Sequence, residues 1–280
     1  MTSLKTPLRY PGGKSRAVKK MAQFLPDMNK YKEYREPFLG GGSVALYMSQ
    51  TYPHLDMWVN DLYEPLVNFW QQLQDEADEI TTRLRTFKTA YATQERAKEL
   101  FLESKELVND QTQSDISRAV SFYVVNKCSF SGLTESSSFS AQASDSNFSM
   151  RGIEKLPEYS KLIENWVITN ISYERMSCDN REVFTYLDPP YEIKSSLYGK
   201  KGGMHKGFDH DFFAQECDRN SNHQMISYNS SQLIRDRFKE WSPYEYDHTY
   251  TMRSVGEYMK EQQSRKELLL LNYESGSLKK

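Results

Sequence analysis

The chain has 280 residues, with 36 Lys and Arg against 38 Asp and Glu, for a formal net charge of −2. That length suits one catalytic domain carrying an inserted module, and the charge excludes a polycation, so any nucleic-acid affinity must come from local basic surface. No apolar run is long enough to span a membrane and no signal-peptide pattern is present; Cys128, Cys178, Cys217 and the five histidines form no metal-ligand spacing, which predicts a soluble cytoplasmic protein with reduced thiols and no metal.

The first informative segment is Leu8-Arg9-Tyr10-Pro11-Gly12-Gly13-Lys14, ahead of the amphipathic run Ser15–Leu25. An aromatic followed by Pro-Gly-Gly-Lys at a helix start reads as a loop folding over a ligand, although a plain turn with a solvated lysine fits as well. Next come a predicted strand, Arg35–Phe38, a glycine turn, Gly40-Gly41-Gly42, and a helix, Val44–Gln50. A second strand, Met57–Asn60, then ends in Asp61. Glycines permit positive φ and close backbone approach, and about 20 residues separate them from the acid, the spacing of a nucleotide half-site whose acid accepts ribose hydroxyls. Nothing here offers a cluster of N–H donors to a pyrophosphate. An adenosyl ligand without phosphates, such as S-adenosylmethionine, is therefore preferred, with Lys14 toward its carboxylate and Tyr10 covering it.

A helix over Glu64–Leu73 follows, and the character then changes between roughly Asp75 and Ile163. Asp75–Val108 is charged and helical; Ser114–Lys127 is a more apolar helix with Ala119, Phe122, Tyr123 and Asn126 on related faces. Beyond it, Cys128–Phe148 is rich in serine, which fits either a flexible linker or a loop that orders on DNA. In the second case hydroxyls and Asn147 would bond phosphates or base edges, and Phe130 would wedge into the stack. Asn126 and Lys127 are further candidate contacts.

The next strand, Val183–Leu187, leads into Asp188-Pro189-Pro190-Tyr191. The two prolines fix their own φ and disfavour the α region for the residue before each, so Asp188 and Pro189 are held extended at a strand tip. A carboxylate, a carbonyl and an aromatic ring in succession match a planar base with an exocyclic amine. The amine donates to Asp188 and to the Pro189 carbonyl while the ring lies on Tyr191. Such an amine is a poor nucleophile because its lone pair is delocalised. Two fixed acceptors favour a pyramidal nitrogen and stabilise the charge that grows on it during attack. After this motif, Lys194, Lys200, Lys201, His205 and Lys206 stand among four glycines, a basic loop that fits DNA phosphates or plain solvation.

Strands over Trp166–Asn170, Gln224–Tyr228, Tyr244–Met252 and Lys266–Tyr273, with a helix over Ser231–Trp241, complete the pattern. Strands alternating with helices predict an α/β fold with a doubly wound, mostly parallel sheet and a hairpin-like end. The predicted division is a discontinuous catalytic domain, residues 1–74 and 164–280, interrupted by a mainly helical module at 75–163.

In this order, the Pro-Gly-Gly-Lys loop, the Phe-Leu-Gly-Gly-Gly loop, the long insertion and Asp-Pro-Pro-Tyr resemble the Dam-type adenine-N6 DNA methyltransferases. The likeness continues through Ile226-Ser227-Tyr228-Asn229, Arg253-Ser254-Val255 and the closing Glu267–Tyr273. The resemblance implies a Rossmann-like S-adenosylmethionine-dependent methyltransferase sheet with an inserted target-recognition module. It implies site-specific methylation of a flipped adenine in double-stranded DNA by direct in-line displacement. Cofactor contacts would come from Tyr10, Pro11, Gly12, Gly13, Lys14, Phe38, Gly40, Gly41, Gly42, Asp61 and Asp188. Asp188, Pro189, Pro190 and Tyr191 would form the catalytic motif; Asn126, Lys127, Phe130, Ser131, Lys200, Lys201 and Lys206 would meet DNA.

Phe130 and Ser131 occupy the aromatic and amide positions of the family's recognition loop, with Gly132-Leu133 intact. Ser131 replaces the amide, and Glu135 stands where GATC-reading members carry an arginine, so a GATC target is unsupported. The resemblance further implies a bacterial or phage-encoded enzyme acting as a monomer or weak dimer. A restriction endonuclease partner is compatible with it but not implied. Two alternatives stay open. One is an amino methyltransferase of the same fold acting on cytosine N4, RNA or protein glutamine, which Asp188 disfavours. The other is a non-catalytic nucleotide- or DNA-binding module, which has no need of Asp-Pro-Pro-Tyr.

Overall fold

The computed structural model describes residues 3–130, 132, 137–191, 207–247 and 266–275. Seven strands form one sheet in the order β3-β2-β1-β4-β5-β7-β6. They are β1 (Glu33–Glu36), β2 (Asp56–Asn60), β3 (Val167–Thr169), β4 (Val183–Leu187), β5 (His223–Asn229), β6 (Ser242–Asp247) and β7 (Lys266–Leu271). The first five run parallel, and β7 inserts antiparallel between β5 and β6. Strand order reverses between β1 and β4, so their C-terminal tips flank the crevice where open α/β sheets bind ligands.

Residue choice explains the sheet. Every residue of β4 is buried, as a central parallel strand covered on both faces requires. Along β5 the faces alternate: Met225 joins Tyr186 and Leu269 in the larger core, while Ile226 and Tyr228 join Phe213 and Phe238 in a second cluster on the opposite face. The first strand ends at Glu36, two residues before the predicted limit, because Pro37 has no N–H to extend the ladder. Within the predicted Tyr244–Met252, residues 248–252 lie outside the described part.

The helices are α1 (Val18–Met21), α2 (Ser43–Thr51), α3 (Glu64–Asp75), α4 (Ala77–Ala90), α5 (Gln94–Leu107), α6 (Asp115–Cys128), α7 (Ala141–Ser146), α8 (Met150–Ile153), α9 (Leu156–Ile163), α10 (His210–Arg219) and α11 (Gln232–Arg237). The charged stretch after Asp75 breaks between α4 and α5, where the Thr93 hydroxyl caps the new helix by accepting from Arg96 N at 3.3 Å. Buried at ten of its 14 positions, α6 forms the interior of the insertion and packs against α3 and α5. Its buried Arg118 is paired with Glu64 and Asp115. The larger core runs from the sheet into Ile80, Leu84, Leu100 and Phe122, so residues 75–163 share that core.

The serine-rich stretch is not a flexible linker where it is described. Ser140 accepts from Ala143 N at 3.2 Å to start α7, and Ser149 accepts from Gly152 N at 3.2 Å to start α8. Phe148 between them is 1% exposed. The hydroxyls act as helix caps, a use that a serine-rich composition does not reveal.

Two features at the end of β1 give predictions. Gly42 has φ +67°, and a Cβ there would lie 2.7 Å from Trp70 Cζ2. Gly42→Ala is expected to destabilise the fold by about 1–3 kcal/mol, measured by denaturant unfolding without cofactor. Glu36 is buried at 2% exposure, with the Tyr34 hydroxyl donating to it at 2.6 Å. Burial drives its carboxyl well above 4.5, so the native protein keeps a proton that the unfolded chain has lost. Stability should therefore fall as pH rises from 4.5 through the folded pKa. Glu36→Gln should flatten that decline and be more stable at pH ~7. Parallel stability–pH curves for the two proteins would contradict this.

Candidate active site

Three of the segments singled out in the sequence meet at the C-terminal edge of the sheet. The loop after β1 carries Gly40–Gly42, the tip of β2 carries Asp61, and the tip of β4 carries Asp188–Tyr191. The fourth, the loop Leu8–Lys14, crosses over them from the chain's start.

Lys14 is the junction. Only 3% exposed, it places its ammonium 2.8 Å from Asp188 Oδ2 and donates to the Gly12 carbonyl at 2.9 Å. The same ammonium sits 5.0 Å from the centroid of the Tyr191 ring. Burial alone would lower its pKa, but Asp188 and Glu267 outweigh burial and hold it well above the ordinary lysine value. Lys14 is thus removed from the exposed basic surface that the sequence suggested; Arg16, Lys19 and Lys20 beside it are exposed. Burial pushes the Asp188 carboxyl upward, with Lys14 pulling it back. Its Oδ1 is buried and has no hydrogen-bond partner among the described residues. A buried acceptor in that state suits an incoming N–H.

The glycines are explained by Tyr10. A Cβ on Gly40 would fall 2.9 Å from Tyr10 Cε1, and one on Gly41 would fall 2.9 Å from Tyr10 Cβ. The aromatic ring can lie on the turn only because two consecutive side chains are missing. The same turn is tied to β2: Asp61 Oδ2 accepts from Gly40 N at 2.8 Å, and Oδ1 accepts from Tyr63 N at 3.0 Å. Burial raises the Asp61 pKa against these N–H donors. With Leu62 N–H as a further donor, the carboxylate still has acceptor capacity for a ligand hydroxyl. Next to it, Leu62 is 61% exposed, an apolar side chain at the mouth of the crevice that the sequence reading passed over. Phe38 packs against Tyr173, Phe208 and Phe213, with ring centroids 5.4–5.9 Å away.

Tyr191 stacks on Tyr228 with centroids 5.8 Å apart and planes at 28°, and its hydroxyl donates to Glu267 Oε2 at 2.5 Å. In the sequence, Glu267 on β7 stands out only as part of a closing strand. The sole sequence signal for it is a carboxylate heading a run of four leucines.

The DNA-facing candidates divide. Phe130 is 52% exposed directly after α6, free to enter a base stack. Asn126 is corrected: it is fully buried, with Oδ1 accepting from Arg9 N at 2.9 Å and Nδ2 donating to the carbonyls of Arg9 at 2.6 Å and Gly132 at 3.1 Å. It fastens two loops and presents nothing to DNA. Lys127 is half-buried against the Tyr123 ring, its pKa lowered to about 8 by burial and by Arg9. Ser131, Leu133, Glu135, Lys194, Lys200, Lys201, His205, Lys206 and Arg253–Val255 lie outside the described residues. Among the described residues, no group of three or more His, Cys, Asp or Glu is arranged to hold a metal, and no helix is long and apolar enough to cross a membrane.

The chain is similar in sequence to known methyltransferases. The chain is 25% identical over 197 residues to the type II methyltransferase M.MjaIII of Methanocaldococcus jannaschii, covering 66% of this chain and 68% of that one. It is 24% identical over 268 residues to the type II methyltransferase M1.LlaDCHI of Lactococcus lactis subsp. cremoris, covering 87% of each. A segment of 126 residues, 45% of this chain but 15% of its relative, is 32% identical to the DNA N-6-adenine-methyltransferase of Escherichia phage P1. The family model for D12 class N6 adenine-specific DNA methyltransferases matches residues 10–252, and the chain belongs to that family.

Proposed function

We propose that this methyltransferase takes S-adenosylmethionine as methyl donor and modifies the N6 amine of an adenine rotated out of duplex DNA. The observation that carries the reading is the Asp188 carboxylate at the sheet's switch point. One oxygen is paired with Lys14, and the other is buried without a partner. An amine inside a duplex is out of reach, so the base must leave the stack to meet it.

The residues present fit the cofactor. Tyr10 closes over the glycine turn, Asp61 offers lone pairs to ribose hydroxyls, and Leu62 and Phe38 offer apolar surface to an adenine ring. Lys14 offers a positive charge toward a carboxylate. When bound, S-adenosylmethionine supplies a sulfonium-activated methyl group for in-line displacement by nitrogen.

The protein's own part is orientation and electrostatics. Asp188 Oδ1 accepts one N6 proton and the Pro189 carbonyl the other, which pyramidalises the nitrogen. The carboxylate then stabilises the positive charge that develops there, and the excess proton leaves through it toward solvent. Tyr191 supplies the stacking face. Residues 75–163 are assigned as the target-recognition module, with Phe130 filling the space left by the flipped base. The basic residues Lys200, Lys201 and Lys206 are assigned to phosphates. The enzyme's work belongs in the cytoplasm of a bacterial or phage-infected cell, where its substrate is found.

Incubation with S-adenosylmethionine and unmethylated plasmid, followed by single-molecule sequencing, should yield N6-methyladenine in a fixed context. Label entering RNA or protein instead would overturn the assignment. Asp188→Ala should lose at least ~10²–10³-fold in turnover, typical of removing one preorganised partner. Near-normal turnover would remove Asp188 from the mechanism. For Asp61→Ala the loss should fall mainly on cofactor affinity, and an unchanged calorimetric Kd would refute the ribose contact.

A further inference from the structure

Glu267 is 2% exposed on β7, a strand with neighbours on both sides. A carboxylate in that position is costly unless its charge and lone pairs are met, so its partners indicate why it is there. One partner is the Tyr191 hydroxyl at 2.5 Å; another is the charge of Lys14.

The sheet register places Glu267 in a row of polar side chains. Tyr186 and Ser227 meet on one face of β4 and β5 through a 2.8 Å hydrogen bond between their hydroxyls. Two residues further along each strand, on that same face, come Asp188 and Asn229. Glu267 lies directly across β7 from Asn229, and Tyr246 lies across β6 from Glu267. Asp188, Asn229, Glu267 and Tyr246 therefore line successive strand tips. Lys14 binds Asp188 at one end, and Tyr191 reaches from the catalytic motif across to Glu267.

Tyr191 needs such an anchor. The prolines before it stiffen its backbone, but its side-chain torsions are set by what the ring and hydroxyl touch. Stacking on Tyr228 allows sliding within the plane; a hydrogen bond at the far end of the ring does not. Reacting groups must be held to within a fraction of an ångström for the transfer geometry to survive.

We propose that Glu267 is a positioning residue for methyl transfer, its carboxylate holding the Tyr191 hydroxyl so that the ring presents a fixed face to the target base. The role presupposes Tyr191 as the stacking ring of the reaction assigned above.

The test compares wild type, Tyr191→Phe, Glu267→Gln, Glu267→Ala and the double variant Tyr191→Phe/Glu267→Ala. Each is given plasmid from a host lacking adenine methylation, with methyl-labelled S-adenosylmethionine. Wild-type transfer into DNA comes first; its absence would refute the assigned reaction rather than the role of Glu267. Phenylalanine keeps the ring and loses the hydroxyl that meets Glu267 and also acts on Asp188, so Tyr191→Phe should lower kcat about 10-fold or more, with the cofactor KM changed less than about 2-fold. Gln retains an acceptor, and Glu267→Gln should stay within about 3-fold of wild type; Glu267→Ala should lower kcat in the same direction as Tyr191→Phe and by no more than it does. In the Tyr191→Phe background, Glu267→Ala should cost less than a further 2-fold or so. Wild-type kcat in Tyr191→Phe would overturn the proposal even if Glu267→Ala does not fold. A Glu267→Ala penalty that persists undiminished in the double variant, or one confined to cofactor KM, would overturn it as well.

Discussion

The buried contact between Lys14 and Asp188 organises this molecule. It joins the chain's first loop to the tip of its fourth strand, and neither charge is tolerable there without the other. Breaking such a pair from one side typically costs about 3–5 kcal/mol, because the remaining charge is stranded in a medium that solvates it poorly. The loop 8–14 is consequently placed over the strand tips by electrostatics, and Tyr10 comes to rest on the glycine turn as a result. That turn in turn receives the Asp61 carboxylate through the Gly40 N–H. Four stretches far apart in sequence are thus held by an ion pair, a ring packed on the glycine turn and a backbone-to-carboxylate hydrogen bond.

The pair also sets the chemistry of the tip. By engaging Oδ2, Lys14 distinguishes the two oxygens, leaving Oδ1 as the buried acceptor without a hydrogen bond among the described residues. The ammonium favours the ionised form of Asp188 while burial opposes it. The charge of Asp188 in turn adds to burial in raising the carboxyls of neighbouring Glu267 and Glu36. A carboxylate poised between these influences suits a group that must accept hydrogen bonds from a neutral amine and then face a cation. Local charge of this kind is invisible in a net charge of −2.

Much of this was legible in the sequence because the informative residues are backbone specialists. Prolines 189 and 190 and glycines 40–42 act through φ and missing side chains, so their meaning travels with the motif. Val183–Leu187 is legible with its limits because five consecutive β-branched, aromatic or aliphatic residues ahead of Asp-Pro-Pro have few other uses. What was not legible depends on contacts across the chain. Asn126 reads as a polar residue near a DNA loop; only the fold reveals that its amide is used up on Arg9 and Gly132. Glu267 reads as the start of a leucine strand until Tyr191 is placed above it. The serines around Phe148 suggest flexibility by composition, whereas Ser140 and Ser149 begin helices by hydrogen-bonding three residues ahead. Lys14 reads as a surface cation because its partner lies 174 positions away in the sequence.

The Asn126 amide has a mechanical meaning. Its three hydrogen bonds hold the turn around Gly132 against Arg9, and Gly132 has φ +74° with its α-carbon pressed so close that a Cβ would lie 2.5 Å from the Arg9 carbonyl. Arg9 adds a fourth tie from its guanidinium to the Ser129 carbonyl at 2.6 Å. Neither strip of backbone can shift against the other without shearing these ties. Phe130 follows Ser129 directly and Lys14 lies five residues beyond Arg9, so the exposed ring and the ammonium paired with Asp188 belong to two segments laced together by these ties.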